Sequence, residues 1–535
     1  DIQNLNLQEK MKNYRFLAVG LLALGIVSCE PDLDNPIDEE GNVYSNGDAN
    51  FTHYVALGNS LTAGYADNAL YITGQTNSYP NILAGQFALT QETDEFTIPY
   101  MNDNAGGLLL SGQQLPGFNN RLVLASDGEG NNSPSVYTGM AATTDITNVL
   151  EGPFSNMGVP GAKSYHLGVE GYGNVAGVQA GLSNPYFVRF ASSPQTSVIA
   201  DALAQNPTFF SLWIGNNDVL GYATSGGTGV NQTGNLNPAT YGSNDITDPQ
   251  VFAQVYSGLV ESLTASGAGG VLINIPDVTS IAFFNTVPNN ALQLDAQTAA
   301  SLTSYFGAVS QVFAGGLMAQ GVPQEQAMAL AAQYAITFNE GPNRFIIDVP
   351  VTQANPLGFR QMTADELIQL QVDQSALASG YGSVNLTAEV QQVLGLLMSG
   401  GTPTAAQANI LFGGVNGLDD ADVLDSTEIS EIQTATTAFN QTIAAVANAK
   451  GLAMVDANAL LNDVANGGVA YDAGTVTATY ATGGAFSLDG VHLTPRGYAI
   501  VANEIIEQIN ATYGATVPKV NIGQYGTITL SNDVQ

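Results

Sequence analysis

Positive charge is scarce in this 535-residue chain, in which 11 lysines and arginines stand against 46 aspartates and glutamates. A protein that binds nucleic acid needs clustered basic side chains to neutralise phosphates, and this chain has almost none to cluster. The composition therefore argues against nucleic acid as a partner. Hydrophobic residues nevertheless make up 45% of the sequence, which is enough for a large globular core.

Cysteine and histidine are also scarce. Cys29 is the single cysteine, which excludes an intramolecular disulfide and a cysteine–zinc cluster. The three histidines, His53, His166 and His492, are too scattered to suggest a metal centre. The acidic stretch 419–422 lacks the spacing and the glycine of an EF-hand loop, so we interpret it as a solvated turn. We expect no cofactor and no catalytic metal, and the sequence leaves calcium at a loop open as an alternative.

A long apolar run occurs only near the N terminus. Residues 11–29 read MKNYRFLAVGLLALGIVSC, in which Lys12 and Arg15 precede an apolar run over residues 16–27. The run is too short to span a bilayer, and the pattern is typical of a signal peptide over residues 11–28. Its end resembles a bacterial lipobox, which implies cleavage before Cys29 and acylation of its thiol. The alternative is a plain secretory signal with an incidental cysteine.

The segment that follows, residues 29–50, is acidic and contains several prolines and glycines, so we predict a flexible tether. Acidic residues after a lipidated cysteine resemble the surface-export signals of lipoproteins from the Bacteroidota. We therefore expect an exported protein that is anchored to the outer membrane through Cys29, with the membrane face left open. The folded domain is expected over residues 51–535, and residues 1–10 are interpreted as preceding the natural start.

Beyond residue 51, apolar β-prone runs alternate with helical patterns. This alternation predicts an α/β fold, in which a parallel sheet is covered by helices on both faces. The predicted strands cover residues 53–57, 208–214, 270–275 and 452–455, and a fifth leads into residues 156–158. The predicted helices of this core cover residues 249–265, 427–450 and 494–513.

Long segments without a sheet pattern lie between these elements. Residues 90–150 and 222–248 are rich in glycine, asparagine and threonine, which predicts loops. Residues 281–423 contain helical patterns over residues 291–318 and 324–334. We interpret this segment as a mostly helical insertion between the fourth and fifth strands, acting as a lid or cap.

The first predicted strand leads directly into a serine. Residues 53–64 read HYVALGNSLTAG, so Ser60 lies between a strand and a helix. A serine in this place commonly caps the helix, but a nearby base and an orienting carboxylate can make it a nucleophile. His492 is the best candidate base, because Asp489 precedes it by three residues in a turn. The residues alone leave both interpretations of Ser60 open, and we interpret His53 and His166 as structural.

Acyl transfer also requires hydrogen-bond donors that face the developing oxyanion. Two segments could supply them. Residues 156–162 (NMGVPGA) carry glycines after a strand, and residues 213–218 (WIGNND) end another strand with amide side chains. Each signal is weak alone, because glycine and asparagine end strands in many proteins.

Taken in order, four short motifs resemble a known family. They are GNSL at residues 58–61, the glycine at position 161, GNND at residues 215–218 and DGVH at residues 489–492. Together they resemble the four sequence blocks of the SGNH hydrolases, also called the GDSL esterase/lipase family, and in particular its large lipid-anchored members from the Bacteroidota. The resemblance spans residues 51–513. It implies a three-layer α/β/α, flavodoxin-like core with about five parallel strands.

The resemblance also implies roles for single residues. Ser60 would be the nucleophile as well as the cap of its helix, His492 the general base and then acid, and Asp489 the residue that orients His492. The backbone N–H groups of Ser60 and Gly161, with the side-chain amide of Asn217, would form the oxyanion hole.

One position departs from the family pattern. Asn59 replaces the usual aspartate, which predicts altered hydrogen bonding in the nucleophile loop. No G-x-S-x-G motif is present, so the nucleophile elbow of the α/β-hydrolases is absent. The expected activity is hydrolysis of a small-molecule or lipid ester through an acyl-enzyme. The alternatives are a carbohydrate acetylesterase of the same fold and a non-catalytic, lipid-anchored binding protein.

Overall fold

The computed structural model describes residues 44–126 and 132–534. The predicted signal peptide, Cys29 and most of the predicted tether lie outside the described residues. The last part of that tether packs against the folded domain. Ser45 donates its N–H to Thr516 Oγ1 at 2.8 Å, and Asp48 donates its N–H to the Tyr513 carbonyl at 2.8 Å. Residues 45–48 therefore pack with the domain, ahead of the boundary expected at residue 51.

A five-stranded parallel sheet forms the centre of the fold. Its strands are β1 Tyr54–Gly58, β2 Asn156–Gly158, β3 Phe209–Trp213, β4 Gly269–Ile273 and β5 Ala453–Val455. They pair in the order β5-β4-β3-β1-β2, and all neighbours are parallel. This is a doubly wound order. In such sheets, ligands bind beyond the carboxyl ends of the strands at the point where the strand order reverses, which here lies between β1 and β3. The predicted α/β class and the five parallel strands are confirmed.

Side chains of each strand enter two separate cores. Val55 and Leu57 of β1 lie in one core, whereas Tyr54 and Ala56 lie in the other. The helices around the sheet are α1 Ser60–Ala63, α2 Tyr79–Phe87, α3 Asn217–Thr224, α4 Pro249–Thr264, α5 Ser426–Lys450 and α6 Pro495–Tyr513. Helices α3, α4 and α5 contribute to the first core, and α2 and most of α6 contribute to the second. Helices therefore cover both faces, which is compatible with a three-layer α/β/α core.

Shorter elements connect these larger ones. The short helices are Ile72–Thr76, Pro185–Val188, Val198–Leu203 and Ala457–Asn466. The 3-10 turns are Ser164–Gly168, Val175–Ala180, Pro238–Thr240, Val278–Ser280, Ile522–Gln524 and Ser531–Asp533. Strands Val469–Tyr471 and Gly474–Val476 form an antiparallel pair.

Helix α5, predicted over residues 427–450, begins one residue earlier at Ser426 and is capped at both ends. The Asp425 carboxylate accepts from the N–H groups of Thr427 and Glu428 at 2.8 and 2.9 Å. The Glu428 carboxylate in turn accepts from the Asp425 N–H at 2.7 Å, which completes a capping box. At the other end, Gly451 adopts the left-handed φ of 65° that ends the helix.

The structure corrects the prediction of loops over residues 90–150. This segment contains short strands, namely Leu108–Leu110, Gln113–Gln114, Leu122–Ser126, Asn132–Val136 and Thr144–Asp145. Strands of two to five residues are too short to give a clear alternation of apolar and polar positions. In the predicted loop over residues 222–248, α3 continues to Thr224 and a 3-10 turn covers Pro238–Thr240.

Residues 281–423 combine helices with small sheets. The helices are Ala282–Asn285, Ala296–Ala319, Gln324–Ala331, Gln374–Ala378, Ala388–Met398 and Ala405–Phe412. The antiparallel strand pairs are Leu292–Leu294 with Gly341–Asn343, Ile346–Asp348 with Phe359–Gln361, Leu367–Ile368 with Val423–Leu424, and Ser383–Val384 with Val415–Asn416. This region has a core of its own around Tyr305 and Phe306.

The same region is bonded to the turn that carries the candidate base. Phe283 donates its N–H to the Gly490 carbonyl at 2.9 Å, and Leu370 donates its N–H to the Phe283 carbonyl at 2.7 Å. Gly490 has a left-handed φ of 71°, and a Cβ there would lie 2.9 Å from Leu370 Cδ2. Glycine is therefore required at position 490 by both conformation and space.

Within residues 44–126 and 132–534, no helix combines the length and the apolar character needed to cross a membrane. That same part of the chain brings together no group of three or more histidine, cysteine, aspartate or glutamate side chains that could hold a metal ion.

The start of α5 makes a testable contribution to stability. Burial raises the pKa of Glu428 to about 7, with further repulsion from Asp425, Asp420 and Glu431. The unfolded chain releases this proton near pH 4.5, so the free energy of unfolding should fall as pH rises from 4.5 to 7. Glu428→Gln keeps an acceptor for the Asp425 N–H but carries no charge. Urea denaturation at pH 4.5 and pH 8 should show a smaller loss of stability in the variant. An equal loss in both proteins would contradict the assignment.

Candidate active site

Ser60 lies at the carboxyl end of β1, in a tight connection to α1. A Cβ at Gly58 would overlap Thr62 Oγ1 and the Trp213 carbonyl oxygen, so this position requires glycine. Asn59 Oδ1 accepts from the Leu61 N–H at 3.1 Å, which makes Asn59 the cap of α1 and Ser60 its first residue. The prediction that Ser60 caps the helix is therefore wrong, because the residue before it does so. The Ser60 hydroxyl is left available for other contacts.

The amide of Asn59 also bonds across to the loop after β3. Asn59 Nδ2 donates to Asn216 Oδ1 at 3.3 Å, and both side chains are buried. An ionised aspartate has no proton to donate in this bond. The asparagine at position 59 thus links two of the loops that form the site.

Ser60, His492 and Asp489 form one hydrogen-bonded chain. Ser60 Oγ lies 2.9 Å from His492 Nε2, and His492 Nδ1 lies 2.8 Å from Asp489 Oδ2. The serine and the histidine are separated by 432 positions in the sequence. They meet because the carboxyl end of β1 and the turn before α6 lie at the same edge of the sheet. In this arrangement the histidine can accept the serine proton while the carboxylate fixes its ring.

The Asp489 carboxylate is surrounded by donors. Its Oδ1 atom accepts from the N–H groups of Val491 and His492 at 2.9 and 2.8 Å and from Ser487 Oγ at 3.0 Å. Its Oδ2 atom also accepts from the Asn68 N–H at 2.9 Å. Burial alone would raise the pKa of Asp489, but the adjacent His492 and these hydrogen bonds hold that pKa well below its ordinary value. Asp489 is therefore a permanent negative charge beside His492.

The predicted oxyanion residues lie in two neighbouring loops. Gly161 has a left-handed φ of 81° in the turn after β2, which is bonded to β1 through the Val159 N–H and the Gly58 carbonyl at 3.0 Å. Asn217 is the first residue of α3, and its Nδ2 atom donates to the Ala162 carbonyl at 2.9 Å. The Asn217 amide is thus adjacent to the turn that contains Gly161.

A buried contact between these same two loops escaped the sequence analysis. Asp218 is fully buried, and its carboxylate accepts from the N–H and the hydroxyl of Ser164 at 2.8 and 2.7 Å. Burial raises the pKa of Asp218, and the Ser164 bonds oppose that shift. The aspartate stands in the GNND motif, but nothing in the sequence indicates its partner. It fixes the start of α3 and hence the position of Asn217.

An apolar cavity of about 70 Å³ adjoins the candidate site. Leu61 lines it from the residue after Ser60, and Val491 and Leu493 line it from either side of His492. Trp213 and Ile281 complete part of its wall. Ser60 and His492 themselves are not part of this wall. The Tyr65 ring lies 4.6 Å from the His492 ring, centre to centre.

Comparison with protein-family models, with curated proteins and with solved structures finds no match to this chain. The site is therefore interpreted from its own geometry. Ser60, His492 and Asp489 are in direct contact, as predicted. Gly161 lies in the turn after β2, and Asn217 lies after β3 as the first residue of α3.

The other two histidines have different partners. His53 Nδ1 lies 2.7 Å from Asp94 Oδ2 at an exposed position before β1. His166 Nδ1 accepts from the Lys163 N–H at 3.1 Å and lies 3.3 Å from the Tyr172 hydroxyl. Neither contact involves Ser60.

His166 should make the protein sensitive to acid. Burial, with a further contribution from the Lys163 charge, lowers the pKa of His166 from 6.5 to about 4. The unfolded chain therefore binds a proton before the folded chain does, and the free energy of unfolding should fall as pH drops from 6.5 to 4. His166→Gln keeps an acceptor for the Lys163 N–H and cannot titrate. Denaturation at pH 7.5 and pH 4.5 should show a smaller loss in the variant, whereas identical losses would contradict the assignment.

Proposed function

We propose that this protein is a serine hydrolase of carboxylic esters, of the SGNH type, that acts through an acyl-enzyme at Ser60. The observation that supports this proposal is the contact of Ser60 Oγ with His492 Nε2 at 2.9 Å and of His492 Nδ1 with Asp489 at 2.8 Å. The chain of contacts lies at the edge where doubly wound sheets keep their sites. Such an arrangement is what activates a serine hydroxyl at neutral pH.

In the proposed reaction, His492 Nε2 takes the proton of Ser60 as Oγ attacks the ester carbonyl carbon. The carbonyl electrons move to the oxygen, and the resulting tetrahedral intermediate collapses as the alcohol leaves with the proton from His492. Water then attacks the acyl-enzyme by the same route and releases the carboxylic acid. Asp489 stays ionised throughout and stabilises the imidazolium ring that forms.

The oxyanion would be held by the backbone N–H groups of Ser60 and Gly161 and by the Asn217 side chain. An amide nitrogen carries two N–H groups. One N–H of Asn217 can therefore remain on the Ala162 carbonyl while the other donates to the oxyanion. The bond to Ala162 orients the amide before substrate binds, which lowers the reorganisation that catalysis requires.

The proposal extends to the fold and the location of the protein. The strand order 2-1-3-4-5 and the helices on both faces support a three-layer, flavodoxin-like core, with residues 281–423 as an insertion between β4 and β5. The sequence pattern that ends at Cys29 supports export and a lipid anchor in the outer membrane. The substrate is accordingly an ester outside the cytoplasm.

Replacement of Ser60 is the central test. Ser60→Ala and His492→Ala should each lower kcat on p-nitrophenyl esters by about 10,000-fold or more, because the nucleophile or its base is lost. Ser197→Ala is the matched control, since Ser197 caps the helix Val198–Leu203 and should affect stability alone. Rates are measured on esters from acetate to palmitate, so that the same series also gives the acyl-chain preference.

Two results would contradict the proposal. Equal turnover by the wild type and Ser60→Ala would exclude Ser60 as the nucleophile. If, in addition, a serine-directed phosphonate failed to label Ser60, the non-catalytic binding protein would be the better interpretation. The chain length with the highest rate distinguishes the two substrate classes, since a maximum at acetate would favour acetylated carbohydrate and a maximum at longer chains would favour lipid esters.

Asn217→Ala should lower kcat by about 100-fold or more with little change in KM, because an oxyanion donor acts in the transition state. Asn174→Ala is a suitable control, since Asn174 caps the 3-10 turn Val175–Ala180 and should leave kcat unchanged. Steady-state kinetics on the best ester measures both parameters. A variant with a raised KM and an unchanged kcat would place Asn217 in substrate binding instead.

A further inference from the structure

A buried ion pair lies next to the turn that carries Asp489 and His492. Arg121 Nη2 donates to Asp67 Oδ2 at 2.5 Å, and the two residues are 2% and 3% exposed. The Tyr71 hydroxyl donates to the same oxygen at 2.8 Å, and the Tyr71 ring lies under the guanidinium at 3.7 Å. A buried ion pair is often no more stabilising than apolar side chains of the same volume. Stabilisation of the fold is therefore a weak explanation for the burial of Asp67 and Arg121.

The backbone around Asp67 is unusual in the same place. Asp67 and Asn68 have φ values of 52° and 62°, in the left-handed region that side chains other than glycine rarely adopt. This conformation directs two successive N–H groups towards the catalytic turn. The Asp67 N–H donates to Ser487 Oγ at 2.9 Å, and the Asn68 N–H donates to Asp489 Oδ2 at 2.9 Å.

The Asp67 side chain completes this attachment. Its Oδ1 atom accepts from the Leu488 N–H at 3.0 Å. Ser487 links Asp67 to Asp489, because its hydroxyl accepts from the Asp67 N–H and donates to Asp489 Oδ1 at 3.0 Å. Three successive residues of the turn, 487–489, are thus bonded to residues 67 and 68, which lie more than 400 positions earlier in the chain.

We propose that the Asp67–Arg121 pair positions Asp489 and, through its balance of charge, sets the pH at which His492 works as a base. This inference rests on the proposed ester hydrolase function. Asp67 and Arg121 are positioning residues, since both act on the reaction through Asp489. The guanidinium neutralises a second carboxylate that would otherwise lie close to the first.

The remaining groups around His492 are neutral near pH 7. Its ring contacts Asp489, Ser60 and the Tyr65 ring. Burial raises the pKa of Tyr480 to about 12, and it raises the pKa of Tyr65, Tyr71 and Tyr498 well above the ordinary value. Among the described residues whose contacts reach this turn, the charges are therefore those of Asp489, Asp67 and Arg121.

The test measures the titration of His492 directly. The chain has three histidines, so ¹³C-histidine labelling gives three ring signals, and His492→Gln identifies one of them. Asp67→Asn leaves the Arg121 charge unbalanced, which should move the titration midpoint of His492 down by about 0.5–1 pH unit. The double variant Asp67→Asn/Arg121→Met has no charge left at the pair and should return the midpoint towards the wild-type value. Thr529→Val removes a neutral acceptor of Arg121 and should leave the midpoint unchanged.

Kinetics separates the positioning role from the effect of charge. Both Asp67→Asn and the double variant should lower kcat by about 10–100-fold at unchanged KM, because Asp489 is held less well in the transition state. The acid limb of the pH profile of kcat should shift in Asp67→Asn but not in the double variant. Thermal unfolding and the stoichiometry of phosphonate labelling at saturation report the folded fraction of each variant.

The outcomes distinguish this inference from the proposed function. An unmoved His492 midpoint in Asp67→Asn would overturn the effect of charge, and an unchanged kcat would overturn the positioning role. If Asp67→Asn does not fold, Ser487→Ala removes one link to Asp489 and should lower kcat by about tenfold, and an unchanged kcat would again overturn the positioning role. If the wild type and Ser60→Ala hydrolyse esters equally, the ester hydrolase proposal fails, while the His492 titration still decides whether the pair controls this histidine.

Discussion

A carboxylate keeps its charge inside a protein only when other donors replace the water that it loses. Asp489 satisfies this condition with donors from its own turn and one from the loop after β1. The position of His492, and hence its contact with Ser60, depends on this arrangement. If the donors were missing, burial would favour the protonated carboxyl group, which holds a histidine ring less firmly. The conformation of residues 487–492 supplies most of these donors, so it is tied to the negative charge of the Asp489 side chain.

The central sheet and most of the candidate site could be predicted from the sequence because their signals are local. Four of the five core strands are largely apolar runs of three to five residues, the exception being Asn156–Gly158. Ser60, Gly161, Asn217 and His492 each follow shortly after a strand or lie in a short motif. The capping box of α5 occupies four consecutive positions. In a doubly wound sheet, strand ends of different loops meet at one edge, so local motifs become spatial neighbours. Distance in the chain is then no obstacle to prediction.

Other features could not be predicted because their cause is not local. Asn59 and Ser60 are both good caps, and propensity alone cannot choose between adjacent residues with similar preferences. Arg121 lies in a glycine-rich segment with short strands, and nothing in its neighbourhood indicates a partner at Asp67. The left-handed conformations of Asp67 and Asn68 arise from contacts with a turn that comes from the other end of the chain. These contacts become visible only when the sheet brings both ends together.

The bond between Phe283 and Gly490 has a mechanical consequence. The region that was interpreted as a lid is joined through its backbone to the turn that holds the base, and the missing side chain of Gly490 lets the two surfaces approach closely. A displacement of residues 283–370 away from the sheet would either break this bond or move Gly490, and with it the turn that carries His492. The position of this part of the region and the contact between His492 and Ser60 are therefore mechanically coupled.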